Sequence, residues 1–157
     1  MISISSVNAG NLPDLVQLLR AIAADESPDD PHAADQAEAN LMASLAAYDV
    51  TRSDLAWILL AYAEGEPAGY AAICRIPKID ARVGFLFIDA LHVLSQYRRR
   101  GVAQALLQRV DEQVSELRLH GIRLLTRPDN DPARSLYQHA GFEEFRPIFC
   151  QKTAHPT

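Results

Sequence analysis

Leu91-His92-Val93-Leu94-Ser95-Gln96-Tyr97-Arg98-Arg99-Arg100-Gly101-Val102-Ala103 is the stretch whose reading decides the fold. An apolar run ends at Val93, a short basic loop with a single glycine follows, and an amphipathic helical pattern begins at once. From about Val102 to Leu119, Ala103, Leu106, Leu107, Val110, Val114 and Leu117 fall on one stripe. The first backbone N–H groups of such a helix point outward without partners, and the helix dipole adds positive potential, so the helix start suits an anion. Gly101 and the small Ala103 allow close approach to the backbone, and three arginines add charge to an otherwise acidic chain. The same residues also read as a solvated basic turn capping a helix. They form neither a Walker loop nor a GxGxxG fingerprint.

Outward from this stretch, Phe85 to Val93 reads as a long strand. Ala56 to Tyr62 and Gly69 to Ile76 read as two more, joined at Glu64-Gly65-Glu66-Pro67 into an antiparallel hairpin. Upstream, Ile2 and Ile4 alternate with serines. Leu12, Leu15, Val16, Leu18, Leu19 and Ile22 then follow at helical spacing, with Asn11 as N-cap and Pro13 in the first turn. Asp25 to Pro31 is a turn-rich acidic loop. A second helix runs from about Ala33 to Ala47, with Leu41, Met42 and Leu45 on one side. Downstream, His120-Gly121 closes the long helix, and Ile122 to Thr126 is a strand parallel to the one before the crossover. A short helix starts at Asp131 as N-cap with Pro132 in its first position and ends at Gly141. Phe142 to Lys152 is a last extended segment, bent at Pro147, and residues 153–157 form a frayed tail. The order β-α-α-β-β-β-α-β-α-β predicts an α/β fold, a mixed sheet flanked by helices.

The 157 residues predict one domain spanning the chain. Apolar residues are 48% and charged residues 22%, values of a chain with a real core rather than a disordered one. Fifteen Lys and Arg against 20 Asp and Glu give a formal charge of −5, which argues against nucleic acid or an anionic membrane as partner. Cys74 and Cys150 are expected in the core, since they form no CxxC pair, disulfide framework or zinc site. His32, His120, His139 and His155 share no ligand spacing, so no metal is expected. The start Met1-Ile2-Ser3-Ile4 lacks a basic region and an apolar signal core, so a cytoplasmic location is expected.

The basic loop resembles the phosphate loop of the GNAT superfamily of acyl-CoA-dependent N-acetyltransferases. That loop reads Gln/Arg-x-x-Gly-x-Gly/Ala, and Arg98 to Ala103 fits it, preceded by the aromatic Tyr97. About 30 residues on, Asn130 to Phe142 is similar to the family's N-x-x-A-x-x-L-Y-x-x-x-G-F. The resemblance implies a splay between the strand ending at Val93 and the strand Ile122 to Thr126, with acetyl-CoA as co-substrate in the split. Its pantetheine arm would pair with the backbone at Leu91, His92 and Val93. Its pyrophosphate would meet Arg98, Arg99, Arg100, Gly101, Val102, Ala103 and Gln104. Asn130 would contact the cofactor arm and Arg134 a phosphate.

In this family the amine attacks the thioester directly, so the cysteines are not nucleophiles. The resemblance assigns Tyr137 as general acid: a tyrosine with pKa about 10 can protonate a thiolate whose conjugate acid has pKa about 8.5 without being ionised at neutral pH. The base is Asp89, His92 or water. Strict alternation puts Asp89 and His92 on opposite faces unless a bulge intervenes. Many relatives carry an acid immediately before the residue matching Leu91. Here Ala90 stands there, and the acid is one place earlier. The acceptor is a small-molecule or protein amine, cationic if the acidic segment from Ala24 to Gln36 walls its side of the cleft; the same segment also reads as a merely solvated loop. A homodimer is compatible with all this. The competing function is a catalytically inactive acyl-CoA-binding sensor of the same fold.

Overall fold

The computed structural model describes residues 1–80 and 83–154. The backbone gathers into two compact units, Met1–Leu125 and Thr126–Thr157. The first holds β1 (Ile2–Ser6), α1 (Leu12–Glu26), α2 (Ala33–Ala47), β2 (Ala56–Ala63), β3 (Glu66–Pro77), β4 (Gly84–Val93), α3 (Val102–Glu116) and β5 (Gly121–Leu124). The second holds α4 (Asp131–His139). The strands stand in the order β1-β2-β3-β4-β5. Pairing is antiparallel up to β4 and parallel between β4 and β5, the change that a crossover helix such as α3 makes possible. This is the mixed α/β architecture expected.

The β2–β3 turn is tight because Glu64 and Gly65 both take positive φ, 57° and 90°, the twist a two-residue hairpin loop requires. One sheet face carries Leu60, Ile58, Tyr62 and Tyr70 against Leu15, Leu18 and Ile22 of α1 and Leu41 of α2. The other face meets α3: a Cβ on Gly69, the neighbour of Tyr70, would lie 3.2 Å from the Val102 side chain. Leu106, Leu107 and Val110 of α3 are buried, as its stripe predicts, whereas Leu117 lies past the helix end and is exposed; Gln113 is buried too, its Oε1 accepting from Trp57 Nε1 at 3.2 Å.

Four local expectations change. First, α3 ends at Glu116 and not at about Leu119 with His120-Gly121 as its cap. Arg118 takes the left-handed conformation, φ 53°, while Arg118 N–H donates to Ser115 O and Leu119 N–H to Val114 O. That pair of bonds is a Schellman closure, with arginine where glycine is usual. Gly121 instead opens β5, opposite Phe85. Second, Asn130 caps α4, its Oδ1 accepting from Ala133 N–H at 3.3 Å, and Asp131 is the first helical residue. Third, the Asn11 side chain does not cap α1; its Oδ1 accepts from Asn8 N–H at 2.7 Å. Fourth, residues 142–152 form no strand ladder among the described residues. Pro147 has no N–H to offer one. The tail lies partly outside the described residues, His155 included.

Candidate active site

Ile88↔Leu124 is the last pair of the β4–β5 ladder, yet β4 runs on to Val93. Leu94 N–H donates to Ala68 O at 2.9 Å. Antiparallel alternation therefore turns the peptide groups of His92 and Ala90 toward β3 and those of Leu91 and Val93 toward the other edge. Val93 O accepts from Arg98 Nε at 3.0 Å. Leu91 N–H and C=O and Val93 N–H are left as a strand edge able to pair with an amide-bearing chain. Of the three expected backbone contacts, Leu91 and Val93 face this edge and His92 does not.

The strand end leads into the basic loop. Gly101 has φ 83°, and α3's first intrahelical bond runs from Ala105 N–H to Gly101 O at 2.9 Å. The N–H groups of Val102, Ala103 and Gln104 accordingly have no helix carbonyl to meet. A Cβ on Gly101 would meet only Ile2 Cδ1, at 3.8 Å, so glycine is required by the backbone angle and not by crowding within the chain. The three arginines differ. Arg98 clips the strand end. Arg100 lies 4.0 Å from Glu64 and over the Tyr97 ring, and Arg99, itself at φ 60°, is exposed. A cavity of about 290 Å³ lies at the opposite end of α3, by Trp57, Arg75, Gln113 and Glu116, and is not part of this loop.

On the α1–α2 face of the sheet, a bulge settles the position of the two candidate bases. Ala72 pairs with Ala90 and Ile73 with Ile88, leaving Asp89 opposite no residue. The extra residue reverses the alternation, so Asp89 joins His92 on one face. Tyr70 and Cys74, four apart on β3, report this: burial first pushes both their pKa values up, and the Asp89 charge adds at both, after that of Glu26 at Tyr70. The His92 ring stacks on Tyr70, centroids 5.5 Å apart at 16°, and its Nδ1 lies 3.5 Å from Glu26 Oε1. Beside it, Asp25 Oδ2 accepts from Ser95 N–H at 3.3 Å, tying the end of α1 to the end of β4.

Asp25 and Glu26 thus belong to the last turn of α1, where the helix dipole disfavours acids. Of the other carboxylates of the acidic segment, Asp35 pairs with Arg20 at 2.8 Å, and Asp30 accepts from His32 N–H at 2.9 Å. Tyr70 and Glu26 as neighbours of His92 were not legible beforehand. The register of β3 on β4 supplies one, and the exit angle of α1 the other.

In the second unit, Asn130 is engaged by its cap. Arg134 donates to both Glu144 oxygens at 2.9 Å and to Pro128 O at 3.0 Å, so its guanidinium is already occupied within the unit. Tyr137 is half-buried against Phe142, ring centroids 5.7 Å apart, and burial pushes its phenol above the ordinary tyrosine range. The cysteines are not the buried pair expected: Cys74 is half-buried and Cys150 exposed. No described helix is long and apolar enough to cross a membrane.

The parallel pair at one end of the mixed sheet thus parts before a glycine-bearing loop and a helix start. The acetyltransferase (GNAT) family model matches residues 15–142, through both units, and the chain belongs to that family. Acetyl-CoA is the family's acetyl donor. A search by sequence against curated proteins found no match. Among solved structures, an aminoglycoside acetyltransferase from an uncultured soil metagenomic sample is similar, with a TM-score of 0.80 and 20% identity over 98% of this chain and 99% of that one. Aminoglycoside N-acetyltransferase AAC(6')-Iy in complex with CoA gives a TM-score of 0.72 at 23% identity, covering 98% of this chain and 96% of that one. A ribosomal-protein-alanine N-acetyltransferase from Brucella melitensis biovar Abortus 2308 gives 0.71 at 17%, covering 98% and 99%. At these identities the likeness speaks for the fold.

Proposed function

We propose that this chain is a single-domain N-acetyltransferase that moves the acetyl group of acetyl-CoA to a primary amine on a small cationic acceptor. The observation that carries the reading is the β4 edge freed beyond Ile88↔Leu124, running directly into the open N–H groups of α3. An edge of this kind pairs with the amides of a pantetheine arm, and the loop after it receives the pyrophosphate, with Arg99 and Arg100 adding charge.

The acceptor arrives as an ammonium, since an amine of pKa about 10 is only about one part in a thousand neutral at pH 7. Asp89 and His92 attract it and take one proton. The neutral amine attacks the thioester carbonyl, the C–S bond breaks, and Tyr137 protonates the departing thiolate. The second proton lost by nitrogen restores the phenol, so the sum is amide, CoA thiol and one released proton. Two of the similar structures are aminoglycoside acetyltransferases, whose substrates carry several amines, which supports a polycationic acceptor. The acids at the end of α1 and on the β4 bulge support it too.

The experiment is thiol release from acetyl-CoA across a panel of aminoglycosides, polyamines and neutral amines. Release with the cationic members is expected. Binding of acetyl-CoA without release on any amine would instead favour a sensor of the same fold.

A further inference from the structure

The His92 side chain, on the α1–α2 face of the sheet, is held from two elements at once. Tyr70 of β3 stacks on its ring, and Glu26 of α1 reaches its Nδ1 at 3.5 Å. An imidazole ring has two nitrogens, and a carboxylate at one of them decides which carries the proton. With Glu26 at Nδ1, the neutral ring keeps its proton there and leaves Nε2 as a bare acceptor. The 3.5 Å separation is an ion-pair distance that a small side-chain adjustment turns into a hydrogen bond, and such contacts commonly tighten when substrate binds. Glu26 gains nothing from its own helix, being an acid at the C-terminus of α1, where the dipole repels it. The groups in contact with His92 are Glu26 from α1 and Tyr70 from β3; Asp25 is turned to Ser95 N–H, and the charge of Asp89, on the same strand as His92, reaches Tyr70.

We infer that Glu26 is a positioning residue: it fixes His92 as the Nδ1–H tautomer over Tyr70, so that Nε2 takes the proton from the acceptor ammonium. This rests on the acetyltransferase reading for its chemistry but not for its geometry. The proton passes from the ammonium nitrogen to Nε2, giving an imidazolium whose two N–H groups face Glu26 and solvent, and it then leaves to water.

The test combines a spectrum with a mutant cycle. Long-range ¹H–¹⁵N correlation of the His92 ring above its titration is expected to show Nδ1–H in the intact protein and a mixture in Glu26→Gln. His92→Ala is expected to lower kcat about 10²-fold or more, the usual contribution of a general base. Glu26→Gln is expected to lower kcat about tenfold, with KM for acetyl-CoA unchanged and Glu26→Asp recovering most of the loss. In a His92→Ala background, Glu26→Gln is expected to have no further effect, because it acts only through the ring. Nε2–H in the intact protein, or an undiminished Glu26→Gln effect without His92, overturns the inference. Nδ1–H together with no acetylation of any amine, while acetyl-CoA still raises the melting temperature, upholds the Glu26–His92 geometry and removes the proposed function instead.

Discussion

Ile88 and Leu124 are the last residues that β4 and β5 pair, and the five residues from Asp89 to Val93 continue without a β5 partner. The separation has a cause on both strands. β5 is only four residues long, and the β4 bulge at Asp89 falls immediately after the last pair, so ladder and alternation break at the same point.

Acetyl-CoA is expected to stabilise the protein through that edge. At 100 times its dissociation constant a ligand adds about 2.7 kcal/mol, which for a chain of this size is a rise of about 5–10 °C in melting temperature. Gly101→Val forces a β-branched residue to φ 83°, so it is expected to lower the ligand-free melting temperature and abolish most of the rise. A differential scanning measurement with and without ligand reads both effects. An unchanged rise in Gly101→Val would move the phosphate site elsewhere.

Tyr137→Phe is expected to lower kcat by about 10²–10⁴ while KM for acetyl-CoA stays within error. Burial raises the Tyr137 pKa above that of a free tyrosine, so the acid form persists beyond pH about 10. The alkaline limb of the kcat profile should therefore lie above that value, and it should disappear in the phenylalanine variant. A profile whose alkaline limb survives the substitution would assign the proton to another donor.

How much of this was legible varies with the physics involved. The strand, glycine loop and helix from Leu91 onward were legible because two periodicities and a forced backbone angle meet there. The β2–β3 hairpin was legible for the same reason. The Asp89 bulge was not. Nothing in Ile88-Asp89-Ala90 distinguishes a bulged residue from a paired one, and only the register against Ala72 and Ile73 does so. The glycine rule misplaced the end of α3, because Arg118 accepts the left-handed angle and the buried Leu119 fixes the turn. The pairing of Arg134 was not legible, because its partner Glu144 lies ten residues away, in a segment without periodicity.

Arg118→Gly is expected to stabilise the fold. A left-handed angle costs a side-chain-bearing residue roughly 1–2 kcal/mol relative to glycine, partly offset by glycine's greater freedom when unfolded. A net gain of about 1 kcal/mol, or about 2–4 °C, is the expected result in thermal unfolding. A lower melting temperature would show that the arginine side chain contributes more than its backbone angle costs.

Arg134→Ala is expected to leave KM for acetyl-CoA unchanged, since the guanidinium is engaged by Glu144 and Pro128 O. The Arg134 hydrogen bond holds the Glu144 carboxyl below its ordinary range. A depressed carboxyl contributes stability that is present above its unfolded pKa and lost as pH falls through the folded one. The difference in stability between intact protein and Arg134→Ala should therefore shrink on acidification below pH about 4.5, as measured by denaturant unfolding. A raised KM would instead mean that Arg134 leaves Glu144 for the cofactor.

The acceptor's charge is the remaining choice, and three acids bear on it. Asp25 and Glu26 sit at the negative end of the α1 dipole, and Asp89 stands exposed on the bulge, so their potentials add on the α1 face of the sheet, where the acceptor is proposed to bind. Asp29 and Asp30 lie beyond the last turn of α1, and Asp30 is turned to His32, so the loop itself contributes less than its composition suggests. A diamine or aminoglycoside then has a second cation to place near Asp89, an exposed pair worth up to about 1 kcal/mol, or about fivefold in KM. Asp89→Asn is expected to raise KM for a diamine by about that factor and to leave KM for a neutral-tailed amine nearly constant. Salt sharpens the test, because the screening length shrinks from about 10 Å at 0.1 M to about 3 Å at 1 M. The kcat/KM for the diamine should fall over that range, and less steeply in Asp89→Asn. Equal preference for neutral and cationic amines, with no dependence on salt, would show that these carboxylates do not select the substrate.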